Sequence, residues 1–208
     1  MLDNVVYMLH MRRTCMSFLV HLCGWGQTAE EIKIYEAYRL WLSKQPVTVQ
    51  RSPEVLETYR KHLLGQVADA ADADAMVRTI QRTGKRAEVE RWNRILTSEK
   101  PTFEVSPNAF LREMAAGRKP GRALDVGMGQ GRNAIWLAQQ GWDVTGFDPA
   151  ERAVAKARET AAGLGVKLRT EVTGSESFAF GEGQWDLIVL SYVDRKSTRL
   201  NSSHVALS

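Results

Sequence analysis

Three glycines alternate through Leu124-Asp125-Val126-Gly127-Met128-Gly129-Gln130-Gly131-Arg132-Asn133, after an apolar run and before a segment of helical periodicity. Residues without a side chain let the backbone turn sharply after a strand and approach a ligand closely, while amides opening the next helix hold an anionic group. Such a turn offers to cradle a nucleotide-like cofactor, and its spacing discriminates among cofactors. A dinucleotide fingerprint, G-x-G-x-x-G, begun at Gly127 and Gly129 needs glycine at 132, where this chain has Arg132. A P-loop needs a Gly-Lys-Ser/Thr ending, which does not occur here. The pattern is instead G-x-G-x-G, with Asp125 two residues ahead of Gly127.

Two carboxylates flank this turn. Asp148 ends a second apolar run 17 residues beyond Gly131, where an acid either accepts hydrogen bonds from both ribose hydroxyls of a nucleoside or caps the helix that Pro149 introduces. The two roles are compatible. Asp125 reads either as a brace for the loop through backbone hydrogen bonds or as a direct ligand contact.

The order apolar pair, acid, apolar residue, G-x-G-x-G, from Ala123 to Gly131, resembles the first motif of the class I S-adenosylmethionine-dependent methyltransferases. The Gly131-Arg132-Asn133 ending, followed by Ala134-Ile135-Trp136-Leu137-Ala138, is most similar to the small-molecule branch that includes tellurite-resistance and thiopurine-type enzymes. The resemblance implies that Gly127, Met128, Gly129, Gly131 and Asn133 surround the methionine end of S-adenosylmethionine and that Asp148 meets its ribose. The family often has another acid after the third strand, near the adenine amine. Here that position falls near Gly174, so Ser175 or Glu176 is the substitute. Ser191 and Tyr192, past the fourth strand, lie where the resemblance places the meeting of substrate and methyl group. No general base and no metal-ligand cluster is identifiable. The other classes to be weighed are a nicotinamide-dependent oxidoreductase, disfavoured by Arg132, and a cofactor-binding remnant without turnover.

The elements that must position these residues alternate. Arg122 to Val126 reads as a buried strand, Asn133 to Gln140 as a helix, and Asp143 to Phe147 as a strand ending at Asp148. Ala150 to Leu164 carries Ala153, Val154, Ala157, Ala161 and Leu164 at helical spacing; Val166, Leu168, Thr170 and Val172 alternate as a third strand. Asp186 to Leu190 is a continuous apolar run suited to a central parallel strand. The expected fold class is α/β, a partial Rossmann-like methyltransferase sheet of four parallel strands preceded by a helical extension. The residues before Arg122 add a capping-box helix from Thr28, one from Ser52-Pro53-Glu54, a third from about Asp72 to Leu96 loosened near Gly84, a linker from Thr97 to Thr102, and a short helix after Ser106-Pro107-Asn108.

Four spans result: 1–26, 27–100, 101–193 and 194–208. In the first, Met11-Arg12-Arg13, a short apolar stretch and Gly24-Trp25-Gly26 fit either a secretory signal peptide cleaved after Gly26 or a buried helix. Both cysteines lie inside it, so a cleaved chain carries no disulfide. Cofactor supply favours the cytoplasm over export. The 208 residues carry a net charge of +4; removing the last span subtracts two and the first span one, leaving +1. With Glu88 and Glu90 among Arg82, Lys85, Arg86, Arg91 and Arg94, the third helix reads as a solvated face, not a nucleic-acid surface. The expected partner is a small methyl acceptor, with no nucleic acid and no stable membrane span.

Asp194 to His204 reads Asp-Arg-Lys-Ser-Thr-Arg-Leu-Asn-Ser-Ser-His, without apolar periodicity. The string matches a translated short-read sequencing adapter, whose opening GAT CGG AAG AGC encodes Asp194 to Ser197. The natural reading frame is expected to depart at about Val193, and the chain to be inactive alone for want of the later strands. Sequencing the source DNA is expected to show adapter codons from 194 to 204; synonymous codons throughout would reject this.

Overall fold

The computed structural model describes residues 28–67, 69–99, 105–191 and 204–207. The signal-peptide reading, Tyr192 and most of the adapter-like string lie outside them. The chain divides into two compact units, one ending at Ala87 and one beginning at Glu88.

The first unit is helical: α1 (Ala29–Ser43), α2 (Val47–Gln50), α3 (Val55–Leu64) and most of α4 (Ala70–Leu96). Thr28 and Glu31 form the reciprocal capping box that starts α1: Thr28 Oγ1 accepts the Glu31 amide at 3.1 Å and Glu31 Oε2 accepts the Thr28 amide at 3.0 Å. Ile34, Tyr38, Tyr59, Leu63, Ala73, Met76 and Ile80 build its core, with the rings of Tyr38 and Tyr59 edge-on at 5.0 Å. The short helix α2 was not foreseen from the sequence. Helix α4 runs unbroken through Gly84, correcting the expected loosening; a Cβ there would stand 3.1 Å from the Tyr35 ring, so the glycine makes room for an aromatic neighbour. Arg82 and Arg86 pair with Glu31 at 2.5 and 3.9 Å. Among the described residues no helix is long and apolar enough to cross a membrane.

The second unit holds the end of α4, then α5 (Ala109–Ala115), β1 (Arg122–Val126), α6 (Arg132–Gln139), β2 (Asp143–Asp148), α7 (Glu151–Gly163), β3 (Arg169–Val172), β4 (Leu187–Leu190) and β5 (His204–Leu207). The strand order is β3-β2-β1-β4-β5, with the first four parallel as expected. The fifth strand is a departure: His204–Leu207 pairs antiparallel with β4, covering an edge that four strands leave open. Strand β3 begins only at Arg169, later than its alternation suggested, because it is mostly exposed at the sheet margin.

Alternation sorts the sheet's side chains onto two faces. Ala123, Val144, Leu187 and Val189 pack with Leu111, Ala134, Leu137 and Trp142. Leu124, Val126 and Phe147 face the other way, joined by Phe178, which stacks on Phe147 at 4.2 Å and 17°. Gly131 opens α6 with φ 76°, and a Cβ there would lie 3.0 Å from the Ala157 Cβ of α7. Gly131→Ala therefore meets a left-handed backbone and a steric contact together. It is expected to destabilise the protein by about 1–3 kcal/mol in urea unfolding, whereas an unchanged midpoint would show that the loop relaxes freely.

Candidate cofactor site

Parallel sheets bind ligands at the carboxyl ends of their strands, where the strand order reverses. Here the chain runs from β1 through β2 to β3 on one side, then returns to β4 beside β1. Pairing of Val126 with Phe147 and Leu190, and of Asp148 with Val172, brings the four strand ends level. The glycine loop, Asp148, the turn after β3 and Ser191 consequently emerge along one edge.

Gly127, Gly129 and Gly131 hold φ of 65°, 55° and 76°, a region closed to most side chains. Asp148 fixes the loop from the next strand: its Oδ2 accepts the Gly129 amide at 2.9 Å and its Oδ1 the Ala150 amide at 2.8 Å. Asp125 accepts the Ala134 amide at 3.1 Å and so braces the first turn of α6. The Met128 amide donates to the Phe147 carbonyl at 3.0 Å, while its side chain packs with Val154 and Ala157 in space left by Gly146. Expected beside the cofactor, Met128 thus offers that edge only its main chain; the apolar thioether is more stable in the core. Asn133 is also buried, its Oδ1 accepting the Asn108 amide at 2.9 Å.

Ser175 and Glu176 sit in a turn closed by Ser177 and Phe178 amides on the Gly174 carbonyl, next to the Thr173 amide that donates to the Asp148 carbonyl at 3.2 Å. The turn therefore lies beside Asp148. Ser191 Oγ accepts from Asn108 Nδ2 at 3.4 Å. Asn108, read from sequence only as a helix start, caps α5 through Oδ1 and joins α6 to the end of β4. Sequence reasoning also passed over Leu96 and Gln130: the Gln130 side chain donates to the Leu96 carbonyl, and a Cβ on Gly129 would lie 3.3 Å from Leu96 Cδ2. No local pattern marks a contact spanning 34 residues. A cavity of about 510 Å³ lies at the opposite edge, lined by Arg112, Trp136 and Trp142, away from the loop. Among the described residues no cluster of His, Cys, Asp or Glu suits a metal ion.

Both acids are electrostatically unusual. Burial pushes the Asp125 carboxyl up to about 7; the Ala134 amide opposes this and the charge of Asp148 adds to it. Burial also raises Asp148, against the Ala150 and Gly129 amides. A folded-state value above the unfolded one means that the native state holds extra protons between about pH 4 and 7, so stability falls as pH rises through that window. In urea unfolding at pH 5 and 8, Asp125→Asn is expected to reduce this loss by roughly 2–3 kcal/mol; an equal loss in both proteins would reject the assignment.

With this geometry in place, the likenesses to known proteins are specific. Residues 123–202 match the methyltransferase domain family. The chain is 37% identical over 71 residues to ribosomal RNA small subunit methyltransferase C of Alcanivorax borkumensis, covering 34% of this chain and 21% of that protein. It is 34% identical over 101 residues to ubiquinone biosynthesis O-methyltransferase of Bordetella avium, covering 47% and 42%. It is 46% identical over 41 residues to the "Probable S-adenosyl-L-methionine-dependent methyltransferase TehB" of Haemophilus influenzae, covering 20% and 14%. The chain thus spans less than half the length of each of these three curated relatives. The matched stretch, residues 123–202, contains the glycine loop and both strand-end acids, and over it the chain is similar to methyltransferase domains.

Proposed function

We propose that the complete protein transfers a methyl group from S-adenosylmethionine to a small acceptor, with this chain supplying the cofactor side. One observation carries the reading: Asp148 joins the glycine loop to the start of α7 at the carboxyl edge of the sheet. A carboxylate has about four lone-pair positions, so an acid already holding two amides retains capacity for two ribose hydroxyls. The loop from Gly127 to Gly131 takes the methionine end through its main chain, with Asn133 holding α6 in place behind it. Ser175 or Glu176 receives the adenine amine from the turn beside Asp148. Ser191 stands at the end of β4, on the acceptor's side.

When bound, the cofactor supplies a methyl on a positively charged sulfur, activated for direct displacement. The protein's part is to align and desolvate an incoming nucleophile. The edge offers amides and hydroxyls at Asn108 and Ser191, suited to orienting a polar acceptor, and a soft thiol-like nucleophile needs no base. The small-acceptor reading draws on the branch resemblance, on the ubiquinone-pathway relative, and on the pairing of Arg82 and Arg86 with Glu31.

Calorimetry on the complete gene product is expected to show saturable binding of S-adenosylhomocysteine and none of NAD. Asp148→Asn should weaken that binding about 10- to 100-fold, as expected for hydrogen bonds to a charged group. Binding of NAD instead would establish a nicotinamide oxidoreductase. Labelled cofactor offered with thiols, amines, hydroxyls and ribosomal RNA is expected to mark a small compound; label only on RNA would overturn the acceptor class, and label nowhere would indicate a binding remnant.

A further inference from the structure

We infer that Asn93 is a positioning residue of the cofactor site, closing a second set of contacts around the glycine loop; the inference rests on the S-adenosylmethionine reading above. Asn93 is 3% exposed, in a helix segment whose neighbours include Arg91 and Arg94. A buried amide side chain is costly unless its hydrogen bonds are made, so its partner indicates its role. Asn93 Oδ1 accepts the backbone amide of Arg152 at 2.9 Å. Arg152 is the second residue of α7, and the first amides of a helix have no acceptor within it. The residue in the capping position, Ala150, has no side-chain oxygen to offer. The missing cap comes instead from a helix 59 residues upstream.

The same turn of α4 reaches the glycine loop. Leu96 Cδ2 stands against Gly129, and the Leu96 carbonyl accepts from the Gln130 side chain. Two routes therefore join the loop to the start of α7. Asp148 connects the Gly129 amide to the Ala150 amide, and the α4 turn connects Gly129 and Gln130 to the Arg152 amide. Asn93 links the second route to α7. The exposed ion pair between Glu90 and Arg152 lies at the same junction and contributes little by itself. Loss of the Asn93 acceptor leaves the end of α4 without this anchor, so Leu96 no longer holds a fixed position over the loop.

The test uses the complete gene product and S-adenosylhomocysteine. Asn93→Ala is expected to raise the Kd about 5- to 10-fold, the equivalent of one lost hydrogen bond and some ordering. Asn93→Asp keeps the acceptor and should restore the Kd to within about 2-fold of wild type. Equal Kd values for wild type and Asn93→Ala would overturn the inference, as would tighter binding by Asn93→Ala or equal weakening by both variants. Hydrogen exchange on the wild type keeps the test independent of how well a variant folds. Ligand is expected to slow exchange of the Arg152 amide together with amides 93–97, and unchanged exchange in either segment would refute the coupling. Wild type that binds no S-adenosylhomocysteine removes the cofactor reading as well, whereas binding unaffected by Asn93→Ala removes only this inference.

Discussion

The hydrogen bonds from the Gly129 and Ala150 amides to the Asp148 carboxylate join the two crossovers on which the site is built. The glycine loop belongs to the crossover leaving β1, and Ala150 to the one leaving β2. Past the end of β1 the Met128 amide still bonds the Phe147 carbonyl, and beyond it the Gly129 amide turns to the carboxylate, as the Ala150 amide does past β2. One buried carboxylate supplies both acceptors, and the parallel register of β1 and β2 brings it within reach. A charge in that position is costly to bury, as the upward displacement of its proton affinity indicates. The backbone amides offset part of that cost, and hydroxyl donors from a ribose would offset more.

Asp125 shows the same economy one strand away. It faces the side of the sheet that packs against α6 and accepts the Ala134 amide, so an acid at the end of a buried strand starts the next helix. Its proximity to Asp148 raises its proton affinity further, though burial is the larger cause. The glycine loop therefore runs between two carboxyls, one bracing the helix behind it and one holding the loop itself. Met128, between the first two glycines, turns its side chain into the core and anchors the loop from the other direction.

Much of this was legible in sequence because it is local. The G-x-G-x-G spacing, Asp125 two residues before it, and Asp148 at the end of the next apolar run each depend on a single strand-to-helix connection. The Thr28 and Glu31 capping box was legible for the same reason. Where side-chain packing intervenes, local patterns fell short. Gly84 suggested a weak point in α4, yet the Tyr35 ring occupies the space it leaves. The alternation from Val166 suggested a longer third strand than the exposed sheet margin supports. The antiparallel fifth strand follows from the open edge of β4, which no residue pattern in His204–Leu207 announces.

The sequence by itself pointed to the class of cofactor and to the loop and acids proposed to hold it, because glycine spacing and strand-end acids act within a few residues of each other. Only the tertiary structure decided what the polar side chains do. Asn108 ties α5 to α6 and to the end of β4, and Asn93 supplies α7 with the cap its own sequence lacks. Leu96 reaches the glycine loop from a helix that begins in the other unit. These contacts join residues 25 to 83 positions apart, and they follow from which faces the folded chain brings together. An asparagine in a helix looks much the same in sequence whether it meets water or a buried amide.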